Sequence, residues 1–103
     1  MKENEINLKV EIRFAKNAKK ATYEVRGNTY KVKDKLKERG YRWRGWEKVW
    51  WRRLENTDEA KLAEIEFLKS ISDHLEIYPF AGVASRWLID QGFELKDGVV
   101  VVK

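Results

Sequence analysis

Between Gly40 and Leu54 the chain reads Gly-Tyr-Arg-Trp-Arg-Gly-Trp-Glu-Lys-Val-Trp-Trp-Arg-Arg-Leu, which sets four of its five tryptophans among five cationic side chains. Indole planes stack on nucleobases, and guanidinium and ammonium groups contact phosphates. Trp43, Trp46, Trp50 and Trp51 are therefore the expected stacking residues, with Tyr41 beside them and Arg42, Arg44, Lys48, Arg52 and Arg53 as phosphate contacts. The polymer that offers bare bases on a phosphate backbone is a single-stranded nucleic acid. Stacking accepts any base, so the expected binding has little sequence preference. A duplex fits less well, because its bases are already stacked and the chain shows no recognition helix or finger motif. Single-stranded DNA is the leading ligand, with RNA left open.

Tryptophans at strand spacing also fill the cores of small sheets, and that is the ordinary explanation for any one of them. It does not account for the arginines between them, since buried guanidinium groups are costly unless paired. Acids from elsewhere can pair with some of these arginines. Tryptophan and arginine are also enriched in protein-interaction hot spots, so a module for an acidic protein partner is the competing reading. A nuclease or nuclease-accessory domain is a third, disfavoured by the missing metal constellation. No catalytic residue and no cofactor is expected. The chain has no cysteine, so a disulfide, a thiolate metal site and a thiol nucleophile are all excluded. His74 is the only histidine and sits beside Asp73 at an expected helix end, where a dipole role is the simpler account. The acids between Glu55 and Glu76 read as solvated helix charge. Arg86 is a lesser candidate for extending the basic surface.

Charge is polarised along the chain. Residues 31–53 hold ten lysines and arginines against three acids, whereas residues 54–77 hold seven acids against two lysines. Such a domain turns one face to an anionic partner and binds in a salt-sensitive way. A charged fraction of 38%, no cysteine and a single glutamine, Gln91, lean towards a protein that works hot, which a melting scan would test. The 103 residues, 43% of them hydrophobic, fit one domain with one core. No apolar run reaches membrane-helix length, and the start, Met-Lys-Glu-Asn-Glu-Ile-Asn, lacks the apolar stretch of a signal peptide. A cytoplasmic protein is expected.

The elements that must position the cluster follow from periodicity. Ile6 to Phe14 alternates apolar and polar residues and predicts a strand; Ala15 to Ala21 is a connection, and Thr22 to Arg26 a second strand ended by Gly27-Asn28. Tyr30 to Arg39 predicts a short helix with Val32 and Leu36 inward, a lysine-rich outer face that can steer a polymer, and Gly40 as its cap. Tyr41 to Trp43 and Lys48 to Glu55 predict a hairpin packed beside the first two strands. Within it Trp50 and Trp51 face opposite sides, and Val49 favours Trp51 as the core member. Asn56 or Thr57 caps the longest helix, with Leu62, Ile65 and Leu68 inward, joined by Phe67 and Ile71. Leu75 to Tyr78 is a strand stopped by Pro79, and Gly82 to Gln91 a helix presenting Val83, Trp87 and Leu88. Phe93 to Val102 reads as a hairpin around Asp97-Gly98, its four valines covered on both faces. The order predicts an α+β fold, a mainly antiparallel sheet with helices packed on one face.

Gly40-Tyr41-Arg42-Trp43 followed by Trp50-Trp51, with the small size, basic aromatic character and charged composition, resembles the archaeal ThermoDBP-like single-stranded DNA-binding proteins. A similar Gly-Tyr-x-Trp and Trp-Trp pattern occurs in small modules attached to some exonucleases. The resemblance implies an antiparallel sheet with a helix-supported cleft for bases, and assembly into dimers or larger oligomers. The founding member of that family dimerises through a C-terminal zipper helix. Here the sequence reads Val99-Val100-Val101-Val102-Lys103, so a homo-oligomer is expected to use the valine strand, through edge pairing, or the helix near Asn56.

Overall fold

The computed structural model describes residues 5–102. Six strands form one mixed sheet in the order β3-β4-β2-β1-β5-β6. They are β1 (Asn7–Arg13), β2 (Lys20–Gly27), β3 (Arg42–Arg44), β4 (Val49–Glu55), β5 (His74–Pro79) and β6 (Val100–Val102). A 3-10 turn at Tyr30–Val32 leads into α1 (Lys33–Arg39); α2 (Asp58–Ser70) joins β4 to β5, and α3 (Gly82–Asp90) joins β5 to β6. The fold is α+β. Neighbouring strands are antiparallel except β1 and β5, which run parallel because α2 carries the chain across two strands before β5 begins.

Alternation sets the two faces. Leu8, Val10 and Ile12 of β1 lie level with Gly27, Val25 and Tyr23 of β2 on one side and with Leu75, Ile77 and Pro79 of β5 on the other. Val25 and Tyr23 in turn oppose Trp50 and Arg52 of β4. Val32 and Leu36 from the α1 region, Ile65 and Leu68 from α2, and Leu88 from α3 join these residues in a single apolar core. The opposite face of the sheet carries Lys9, Glu11, Arg13, Arg26, Arg53, Glu76 and Tyr78, with Val49 and Trp51 as its apolar members beside β3.

Register decides which tryptophan is sealed. Trp50 opposes Val25 and is 6% exposed, whereas Trp51 opposes Glu24 and is half-buried, so the core member is Trp50, not Trp51 as Val49 alone implied. The burial of Val49 belongs to the other face. In α2 the inward positions are Lys61, Glu64, Ile65 and Leu68, while Leu62 is at the surface. Lys61 takes the inward place because its ammonium lies 3.8 Å from the centre of the Phe14 ring and 4.5 Å from that of Trp87, and donates to Asn56 Oδ1 at 2.6 Å. In α3 the buried residues are Ala84 and Leu88; Val83 faces out, and Trp87 is half-buried with its indole N–H donated to Asp58 at 2.8 Å.

At the C-terminal end only Val100 of the four valines is buried, and Val101, on the other face of the three-residue β6, is 44% exposed, so the strand is not covered on both faces. Phe93 to Leu95 forms no strand, and the expected hairpin shrinks to a Lys96–Val99 bridge around Asp97-Gly98. Both turn residues have positive φ, as a two-residue hairpin turn requires. No helix among the described residues is long and apolar enough to cross a membrane.

Candidate nucleic-acid interface

The hairpin and α1 meet because Gly40 turns the chain sharply between them. Gly40 adopts φ 109°, and the amides of Gly40 and Tyr41 close the helix end on Lys37 and Leu36 carbonyls. Tyr41 then drops into the core at 3% exposure and donates its hydroxyl to Glu64 Oε2 at 2.6 Å. Glu64 is wholly buried, and its other oxygen accepts from Arg39 at 2.9 Å and Arg52 at 3.3 Å. One α2 carboxylate thus fastens the end of α1, the start of β3 and the middle of β4. The reading of the α2 acids as solvated charge fails for Glu64, because a buried phenol and two half-buried guanidiniums enclose it.

Burial pushes the Tyr41 hydroxyl well above its ordinary pKa, and the Glu64 charge pushes it further. Tyr23 is raised by the same two causes in that order, against a lowering contribution from Arg52. The Tyr23 hydroxyl is buried without a hydrogen-bond partner among the described residues.

Ten residues of the hairpin region were expected to meet a ligand, and they separate into distinct settings. Tyr41 is sealed and cannot stack. Trp43 is 50% exposed, its ring centre 5.2 Å from that of Trp50 at a 52° tilt. Trp50 is fixed from behind by its indole N–H, donated to Thr29 at 3.2 Å. Trp46 stands at the tip of the Gly45–Lys48 loop at 84% exposure, and Lys48 closes that loop with φ 56°. Arg44 is held at 2.7 Å from Glu47 and 3.1 Å from Glu24, with its guanidinium 5.1 Å from the Trp51 ring, so it is engaged inside the protein and not free for phosphate. Arg52 is tied to Glu64. Arg42 and Arg53 are exposed and form no ion pair among the described residues.

Trp43, Trp50, Tyr30, Lys33 and Lys37 line one cleft of about 470 Å³, together with Gly27, Asn28 and Thr29. Tyr30 is 76% exposed and lies under the Lys33 ammonium, 4.2 Å from its ring centre. The cleft therefore brings together two open aromatic rings, one buried ring and two ammonium groups.

Tyr30 was missed from the sequence, where it reads only as the first residue of a thin helix. Its signal was present: Tyr30, Lys33 and Lys37 follow i, i+3, i+7 spacing, which places all three along one helix face. Lys33 and Lys37, read as steering charges on an outer face, line the cleft itself. Trp46, Trp51, Arg42 and Arg53 lie outside it. Among the described residues no group of histidines, cysteines or acids is arranged to hold a metal ion. No protein-family model, curated protein or solved structure matches the chain.

Proposed function

We propose that this protein binds single-stranded DNA without sequence preference, taking bases between Trp43 and Tyr30 while Lys33 and Lys37 face the backbone. The observation that carries the reading is the cleft itself: two largely open rings of different chain segments flank a common space beside two ammonium groups. A core-filling role accounts for Trp50, which is sealed, but not for Trp43 and Tyr30, which expose large apolar planes at a cost the fold does not require. Each stacked base contributes about 1–3 kcal/mol, so two stacks with phosphate contacts bring micromolar affinity within reach. Trp46, exposed at the hairpin tip, stacks a further base beyond the cleft in this reading.

The reading extends to a cytoplasmic homo-oligomer joined at β6, which has a partner strand on one side only and exposes Val101. Light scattering with and without oligonucleotide tests that part. The binding itself is tested by quenching of tryptophan fluorescence with oligo-dT at low and high salt, with oligo-U measured in parallel. Quenching at micromolar protein, weakened by salt, is the expected result; its absence at low salt would remove the proposal.

A further inference from the structure

A second concavity lies where β3 ends. β3 pairs with β4 only over Val49 to Trp51, so beyond Trp51 no strand among the described residues lies beside that side of β4. The notch left there has a volume of about 510 Å³ and is lined by Gly40, Arg42, Trp51, Arg52 and Arg53. We propose that this notch is a phosphate-binding site, separate from the aromatic cleft, that takes a backbone phosphate of the strand whose bases occupy the cleft. The link to the strand rests on the reading under Proposed function; the affinity for phosphate does not.

Charge, geometry and placement carry it. Three guanidiniums, those of Arg42, Arg52 and Arg53, line the notch; Arg52 shares the Glu64 carboxylate with Arg39, and no other ion pair reaches these three among the described residues. That leaves Arg42 and Arg53 without a counter-charge at the notch, and an anion is the ligand that supplies one. Arg52 is set in advance by its bond to Glu64 and by its seat against Gly40. A methyl group at position 40 would stand 3.2 Å from Arg52 Nε and 3.5 Å from its guanidinium carbon. A side chain there would crowd the guanidinium by a few tenths of an ångström, so Gly40 bears on the notch as well as on the helix end. Arginine is the residue suited to this task, because its planar fork meets phosphate oxygens in pairs. α1 runs from the cleft, at Lys33 and Lys37, to the notch, at Gly40, so a chain leaving the cleft along the helix arrives at the arginines.

The test uses inorganic pyrophosphate first, because it presents phosphate without bases. In low-salt buffer, millimolar pyrophosphate is expected to shift the arginine side-chain Nε–H resonances of the wild type. In Arg42→Gln/Arg53→Gln the shift is lost, and in Trp43→Ala it persists. No shift in the wild type, or an undiminished shift in the double variant, overturns the site. Both substituted residues are exposed, so unchanged melting of the double variant is the expected control. Arg52→Lys adds a second reading: it keeps a cation for Glu64 but loses the fork, and weaker pyrophosphate binding is expected. Salt titrations with oligo-dT then address the strand. The double variant is expected to lower the slope of log K against log salt by about 0.7, the contribution of one phosphate on a single strand. An unchanged slope overturns the use of the notch by the strand. Pyrophosphate binding without any oligo-dT quenching removes the cleft reading and leaves the anion site standing.

Discussion

A half-open ring can be removed without opening the core behind it, and a sealed ring cannot. Trp43 and Trp50 are neighbours 5.2 Å apart that fall on either side of this divide. Trp43→Ala is expected to weaken oligo-dT binding by roughly 5- to 100-fold, the loss of one stacked base, with little change in melting temperature. Trp50→Ala is expected to lower stability by about 3–5 kcal/mol, read from urea unfolding, because it empties a core position. Equal effects of the two on binding, with no difference in stability, would refute this division. Glu64 supplies a sharper case. Glu64→Gln removes the charge that compensates Arg39 and Arg52, and a loss of about 1–3 kcal/mol is expected, because the two guanidiniums left behind keep some contact with solvent. Tyr23→Phe runs the other way: the hydroxyl has no partner to lose, so the variant is expected to match or exceed the wild type, by up to about 1 kcal/mol.

At the level of elements, the turn between α1 and β3 concentrates the demands. Gly40→Ala places a side chain at φ 109° and against Arg52, and a loss of about 1–2 kcal/mol from the backbone alone is expected in urea unfolding. Most elements were legible from the chain because their signals are local: the alternation of β1, Gly40 as a cap, Thr57 accepting from the Ala60 amide, and Asp97-Gly98 in a turn. What was not legible depends on partners distant in sequence. The face of β4 that becomes core is set by Tyr23 and Val25 across the ladder, which Val49 on the same strand cannot report. Lys61 reads as a surface charge until Phe14 and Trp87 are placed around it, and Glu64 until Arg39, Tyr41 and Arg52 are. The valine run looks doubly covered because hydrophobicity does not reveal that nothing distant in sequence among the described residues packs over Val101. The cleft was half legible: Trp43 is in the cluster that first draws notice, while Tyr30 comes from a segment ten residues earlier whose ring matters only once α1 is folded against the hairpin.

For the whole molecule, titration gives a directional expectation. Tyr41 and Tyr23 have folded-state pKa values above the ordinary 10.0, so the native state keeps protons that the unfolded chain releases. Their contribution is complete below about pH 10 and is lost as pH rises beyond it. Lys61 is displaced downward from 10.5, mainly by burial, so its unfavourable charging is relieved as pH climbs towards that value. With two buried phenols against one lysine, urea midpoints are expected to fall between pH 9 and about pH 11, and Tyr41→Phe to flatten the fall. A rise over that range would show that Lys61 dominates. The parallel pairing of β1 with β5 has a consequence for biogenesis. The Ile6 amide bonds to the Asp73 carboxylate 67 residues further on. At bacterial-like elongation of about 5–20 residues per second, the nascent chain holds Leu8, Val10 and Ile12 beside an unfilled ladder edge for about 3–13 seconds. Lesions in β5 should therefore depress yield in living cells more than they lower the equilibrium stability of the purified protein, because an orphaned β1 edge recruits other chains while synthesis is under way.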